Sequence, residues 1–449
     1  MSGHQDWVEA NRGRLLDELK QFCAFGSVSA NGAESLVSCR RWLGERLAAL
    51  TDEVEVVEAG GMPALIARVP GAGRRRRRLL IYAHYDVSPA GPVELWESPP
   101  FDPGVRSGRL YARGAADAKG DLMARIHALE MLRGLRGELP CEVVLLVEGE
   151  GRLGSQNLPQ LVERHSSRLE ADGCLWEGGP TGGAQGRVYL GCRGQLELQL
   201  WVRLLKQPES AAYAPLYPSA AGYLVETLAS LAGPDLRVRV EGFYDRALPP
   251  GPGERRRMAA IDPRAVERPK LGRRLLGNPP ARAVLERLLY TPVFNISGLT
   301  AGHQGPGRRS VLAHEAVARV DFQLVPEQDP LEVLELVRSH LSRHGFAEAE
   351  VFCVHADWPV RQPRDSEIAR AVIASQREVF GGVQVWPLLP QPTAMHAVSR
   401  GLGVPTVIPA GLARQDSHVN SANERIRTAD YRRAIALVGR LVERFARAS

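Results

Sequence analysis

Three short stretches carry residue types that could do chemistry together. The first is Leu79-Leu80-Ile81-Tyr82-Ala83-His84-Tyr85-Asp86-Val87, an apolar run that ends in a His-x-Asp pair. Alternate side chains of a strand share a face, so His84 and Asp86 point the same way at its C-terminal end. A carboxylate so placed can hold the imidazole tautomer that leaves the other ring nitrogen free to ligate a metal. A plain hydrogen-bonded histidine satisfies the same pattern. The second stretch runs from Tyr111 to Asp121 and sets Asp117 just ahead of a helical pattern, where a helix N-cap is the plain structural reading. The third, Glu148-Gly149-Glu150-Gly151-Arg152-Leu153-Gly154-Ser155, closes another strand-like run and mixes carboxylates with a guanidinium.

Taken in order, H-x-D-V, then P-P-F-x-P, then R-G-x-x-D-x-K-G resembles the carnosinase-type branch of the dinuclear zinc dipeptidase, aminoacylase and carboxypeptidase family. The likeness runs from about Leu15 to Arg440. It implies that Asp117 bridges two metals and that His84 ligates one of them, with Asp86 behind the imidazole. It also implies that Glu177, in Cys174-Leu175-Trp176-Glu177-Gly178-Gly179, is a further ligand.

The departures fall on one half of the site. The family writes E-G-x-E-E-x-G-S, its adjacent glutamates serving as general base and metal ligand. Here Gly151 stands in the place of the base and Arg152 in the place of the ligand. A one-residue slip would make Glu150 a substitute base, at the cost of the flanking matches. The last family ligand is a histidine three residues before an Asn-Glu pair, and counting back from Asn423-Glu424 lands on Asn420; His418 lies two residues away. Sorted by metal, the set His84, Asp117 and Glu177 is complete, and the set that needs positions 152 and 420 is lost. A guanidinium stays protonated, so Arg152 would repel a cation and could pair with the spare oxygen of Asp117. The expected cofactor is therefore one divalent metal, zinc.

In the second part of the chain the likeness assigns substrate contact to Arg193, Asn295 and Gln323, the last standing where the family has a carboxylate-gripping arginine. Asn420 and His418 would border the substrate, and Glu209 falls near the family's lid histidine. Losing a general base costs roughly 10²- to 10⁴-fold. Three readings stay open: single-metal acyl transfer or cyclisation, a catalytically inactive binder, and a weak dipeptidase that recruits Glu150.

These residues need a scaffold that sets strand ends side by side. Helical periodicity covers Trp7 to Phe25, Glu34 to Leu50 and Leu122 to Leu135; strand-like runs cover 53–58, 63–69, 78–83 and 141–147. The alternation predicts a mixed α/β sheet covered by helices. From Gly194 two strand-helix-strand sets follow, Gln195 to Phe243 and Ala316 to Val354, as in a β-α-β, β-α-β ferredoxin-like sandwich. Between them 248–280 is irregular, and the α/β style resumes near Asp365. The expected organisation is a split metallopeptidase-like catalytic domain, 1–193 and 363–449, with an inserted α+β lid and dimerisation domain, 194–362.

Composition fits this reading. At 449 residues one core is outgrown, and 44% hydrophobic with 24% charged residues is ordinary for a globular protein. The net charge of +6 is a small excess of 57 basic over 51 acidic residues, which implies neither a nucleic-acid nor a membrane partner. The run Arg74 to Arg78 reads as a solvated hairpin turn. Six scattered cysteines and a polar N-terminus predict reduced thiols and a cytoplasmic protein. A peptide-like small molecule and a second copy of the chain are the expected partners.

Overall fold

Unbroken apolar runs become the central strands of an eight-stranded sheet. In chain order these are β1 (Val54–Val57), β2 (Ala64–Val69), β3 (Arg78–His84), β4 (Glu142–Glu148), β5 (Gly173–Leu175), β6 (Gly186–Tyr189), β7 (Val383–Trp386) and β8 (Thr406–Pro409), arranged β1-β2-β4-β3-β5-β8-β6-β7. The computed structural model describes residues 2–72, 77–182, 185–266, 272 and 274–447. β3 runs parallel to both β4 and β5. A parallel strand is covered on both faces, which is why Leu79 to Ala83 and Val143 to Val147 carry no outward polar position and are buried throughout. The register pairs His84 with Glu148. The C-terminal ends of three neighbouring strands are thereby brought to one edge, where loops of an α/β sheet can assemble a site.

Helix Lys119–Arg136 starts two residues after Asp117 and packs against the C-terminal helix Thr428–Arg447. A Cβ on Gly439 would run into the Met131 methyl, so glycine lets these two helices close up. The loop that carries Asp117 is pinned from below by a buried ion pair, Arg113 Nη1 to Glu424 Oε2 at 2.6 Å. The other oxygen of Glu424 accepts the backbone N–H groups of Ala116 (2.9 Å) and Asp117 (3.2 Å). No helix of the described residues is long and apolar enough to cross a membrane. The six cysteines are all free and five of them are buried.

The chain divides into two compact units. One comprises Met1–Gly191, Gln362–Pro387 and Ala394–Ser449; the other, the inserted unit, comprises Cys192–Arg361 and Leu388–Thr393. The inserted unit holds an antiparallel sheet of strands Val293–Ala301, Glu315–Leu324, Gly191–Arg203 and Ala349–Asp357, in that spatial order. Helices Ala220–Leu231 and Pro330–Arg343 bury Leu224, Leu228, Val333 and Val337 in a core with Leu196, Leu198, Val320 and Phe322 of that sheet.

Three sequence expectations differ from the structure. The stretch 248–280, expected to be irregular, contains the helix Pro252–Ala259, which opens with Pro in its first turn and Glu254 bonded back to the Gly251 N–H at 2.7 Å. The expected strand Arg237 to Phe243 is a series of turns, with one isolated bridge between Ala232 and Val238. Val238, Val240 and Phe243 are nonetheless buried, so the apolar run meets its need for cover by packing and leaves the sheet edge to Val293–Ala301. Leu236 and Gly242 have φ of 64° and 79°, a left-handed backbone that no strand accommodates. The N-terminal helix expected from Trp7 to Phe25 is two helices, Ser2–Ala10 and Arg12–Ala24; Asn11 turns its side-chain amide back onto the Trp7 carbonyl at 2.8 Å. In the arginine run, residues 74–76 lie outside the described residues. Arg77 and Arg78 are in ion pairs with Glu367 and Glu142.

Removing one partner of a buried ion pair leaves the other charge without compensation. Glu424→Ala is expected to lower unfolding stability by roughly 3–5 kcal/mol, measured as a shift of the urea midpoint at unchanged slope.

Candidate metal and active site

His84 is the hub of the site and is almost fully buried. Its Nδ1 lies 3.0 Å from Asp86 Oδ1, and Asp86 is fixed in turn by the Ser29 hydroxyl (2.6 Å) and the Arg152 backbone N–H (2.8 Å). The other ring nitrogen, Nε2, stands 3.5 Å from Asp117 Oδ1 and 3.5 Å from Glu177 Oε2. Two ligands of a tetrahedral zinc with bonds near 2.1 Å are about 3.4 Å apart. Each carboxylate is therefore at ligand spacing from Nε2, and an imidazole with two carboxylates suits zinc.

Charge balance points the same way. Asp86, Asp117 and Glu177 set three carboxylates against the one guanidinium of Arg152, which leaves a net charge of minus two while His84 is neutral. Burial opposes a charge on His84, yet the Asp117 and Asp86 carboxylates outweigh it and raise the imidazole well above its ordinary pKa. Burial also raises Glu177. Burial acts on Asp117 in the same sense, but His84, Arg152 and Asn420 overcome it and hold that carboxyl below the usual range. A single dication would neutralise the whole cluster.

The other side of Asp117 is already occupied. Its Oδ2 accepts from Arg152 Nη1 at 2.9 Å and from Asn420 Nδ2 at 3.0 Å. Ser88 joins the two, accepting from Arg152 Nε at 3.0 Å and donating to Asn420 Oδ1 at 2.9 Å. Asp117, Arg152, Ser88 and Asn420 thus form a closed circuit. A dication brought up to this oxygen would meet the fixed charge of Arg152: two unit charges 4 Å apart repel by about 4 kcal/mol at an effective dielectric near 20, and a dication beside a guanidinium by about twice that.

The remaining first-unit candidates are placed as follows. Glu150 is buried, and its carboxylate accepts from Asn157 N (2.7 Å), Met62 N (3.1 Å) and Asn157 Nδ2 (3.1 Å); it braces its own loop and has no contact with His84 or Asp117. Gly151 has no room for a side chain, since a Cβ there would lie 2.5 Å from His84 Cγ. His418 turns its ring toward Ala422 O and Arg425, each 3.3 Å away, and not toward Asp117. Glu148, buried beneath the site, accepts from Ser155 Oγ at 2.6 Å and from the Tyr82 hydroxyl, and burial pushes its carboxyl up to about 8.

Candidates in the inserted unit have partners of their own. Asn295 Nδ2 and Gln323 Nε2 both donate to Asp321, at 2.8 and 3.2 Å. Arg193 is buried and spends its guanidinium on the carbonyls of Leu288, Thr291, Gln323 and Leu324. Glu209 lies exposed on a two-residue strand that pairs with Val311–Leu312. Sequence reasoning missed Ser88, although it continues the alternation His84, Asp86, Ser88. It also missed the brace that Arg113 and Glu424 supply, which joins residues 311 positions apart. A further group of possible ligands, Glu18, His127 and Glu130, is bridged by Arg14 and Arg46, so guanidinium groups already neutralise it.

The family model described as Peptidase family M20/M25/M40 matches residues 80–444. The rat Beta-Ala-His dipeptidase is 25% identical over 359 residues, covering 75% of this chain and 72% of the relative. A succinyl-diaminopimelate desuccinylase of Burkholderia ambifaria is 37% identical over 201 residues, covering 43% and 52%. Among solved structures, the M20 family metallo-carboxypeptidase Sso-CP2 from Sulfolobus solfataricus superposes with a TM-score of 0.91 at 31% identity, over 96% of this chain and 99% of that one. Human carnosine dipeptidase 1, at 22% identity, shares the fold with a TM-score of 0.83 over 99% and 98%. With its mixed α/β sheet, its motif order and a model match that spans most of its length, the chain belongs to peptidase family M20/M25/M40.

Proposed function

We propose that this is a one-metal member of its family, binding a peptide-like or N-acyl amino acid small molecule, whose chemistry has moved from hydrolysis toward acyl transfer or cyclisation. The observation that carries the reading is the Arg152–Asp117 ion pair at 2.9 Å, with a guanidinium where the family resemblance puts a metal ligand. His84, Asp117 and Glu177 would hold the ion, zinc by the chemistry of the set. Bound there, it would polarise a carbonyl as a Lewis acid. Asp86 orients the imidazole, and the Arg152 guanidinium supplies fixed positive charge for a developing oxyanion.

In this reading the carboxylates nearest His84 are already committed, Asp86 to the imidazole and Asp117 and Glu177 to the ion. Gly151 occupies the place of the base, and the Glu150 oxygens are held by three N–H groups, which argues against a weak dipeptidase that depends on Glu150. An amine nucleophile needs less help than water, because it attacks as the free base and passes its proton to the departing amine. The inserted unit, 194–362 in the domain reading, would be the lid, and the family resemblance supports a homodimer through it in the cytoplasm. A second reading, a binding homologue without turnover, is favoured by the closed circuit Asp117-Arg152-Ser88-Asn420, which is complete without a second ion.

Dipeptides and N-acetyl amino acids should be incubated with the zinc-loaded protein, with and without added amine, and the products followed by mass spectrometry. Hydrolysis is expected to be down by roughly 10²- to 10⁴-fold for want of a base, with a new amide formed only when amine is present. Brisk hydrolysis indifferent to amine would overturn the proposal, and metal-dependent binding with no product would select the binder. In a second experiment, Arg152→Glu with Asn420→His is expected to raise bound zinc from one to two per chain. Gly151→Ala alone should push His84 aside and weaken zinc binding by about 10- to 100-fold, read by competition with a chelating dye.

A further inference from the structure

The inserted unit contains a cavity of about 510 Å³ that none of the chemistry above uses. Its walls are apolar, built by Leu236, Leu275, Leu276, Val284 and Leu288 among others. Leu236, Leu275 and Leu276 are 44%, 41% and 61% exposed, so three leucines face solvent around one concavity. Single exposed leucines are ordinary; a cluster lining a hollow of ligand size marks a binding surface.

The charged groups of the cavity are mostly cationic. Arg193, Arg237 and Arg287 line it, with Asp235 as the acid among its lining residues. Asp235 is already engaged, accepting the Arg237 backbone N–H at 3.1 Å. Among the described residues none of the three guanidinium groups has a carboxylate partner. Arg193 donates to main-chain carbonyls alone, Arg287 donates to the Leu276 carbonyl at 2.7 Å, and Arg237 lies over the Tyr244 ring. Arg193 is the telling case. It is 4% exposed, and desolvation with nothing to offset it brings the guanidinium down to about 10. Its four hydrogen bonds use Nε once, Nη1 once and Nη2 twice. A guanidinium carries five N–H donors, so among the described residues one Nη1 hydrogen has no acceptor.

We propose that this cavity binds a small amphipathic carboxylate: one acid group among the arginines, with an apolar acyl or aryl body against the leucines. A carboxylate fits better than a neutral lipid because a buried cation without a counter-charge is costly and an entering anion relieves that cost. It fits better than a phosphate because the remaining wall is apolar and would stay wet under a compact dianion. The site lies wholly within the inserted unit and does not depend on the metal-site reading.

The test is isothermal titration of the zinc-loaded full-length protein with decanoate, kept below its micelle concentration, alongside decanol and decylamine. Saturable binding of one decanoate per chain is expected, with decanol weaker by about ten-fold or more and no binding of decylamine. Leu276→Asp, at an exposed position, and Arg287→Glu should each weaken decanoate by about ten-fold or more, while His84→Ala leaves it unchanged. Equal binding of decylamine, or decanoate affinity indifferent to both cavity substitutions, would overturn the proposal. So would a change of oligomeric state in Leu276→Asp with no decanoate binding to the parent protein, which would make the leucines a contact between copies.

Discussion

A fixed cation on one oxygen of Asp117 decides what the rest of the site can be. The carboxylate has two faces: Oδ1 looks toward His84, and Oδ2 is taken by Arg152 and Asn420. In the function proposed above, a side chain that cannot lose its proton or diffuse away would stand in for an exchangeable ion. The substitution is supported from every side. Ser88 ties the guanidinium to Asn420, the Arg152 backbone N–H holds Asp86, and Glu424 anchors the peptide groups of Ala116 and Asp117. Each of these contacts would be wasted if Arg152 were a casual surface replacement.

The scaffold explains why such a change is tolerated. His84, Glu148 and Glu177 sit at or just beyond the ends of three adjacent parallel strands whose interiors are fully apolar. Their positions follow from strand register and core packing, not from the metal. Exchanging one ion for a guanidinium, as proposed, would involve the loop after β4 and the segment around Asn420 and leave that frame in place. Gly151 follows from the same geometry, since the space of a side chain there is filled by the His84 ring.

Much of this was legible in the residues. The apolar runs at 78–83 and 141–147 read as strands, and the His-x-Asp pair just after the first located the candidate site. The inference that Arg152 pairs with Asp117 needed only the resemblance and the permanence of a guanidinium charge. What stayed hidden depends on three-dimensional closure. Arg113 and Glu424 meet across 311 positions, and no local pattern announces them. Glu150 looked available until its oxygens were found on Met62 and Asn157. The run Val238 to Phe243 looked like a strand because burial alone sets its apolar pattern, and pairing went instead to Val293–Ala301. The arginines of the inserted unit looked like substrate or surface residues until a cavity was found among them.

The most direct test of the central claim is diffraction at the zinc absorption edge from crystals grown in excess zinc. One anomalous peak per chain, between His84, Asp117 and Glu177 and with the Arg152 guanidinium still on Asp117 Oδ2, is the predicted result. A pair of peaks about 3.5 to 4 Å apart, with Arg152 swung clear, would contradict it.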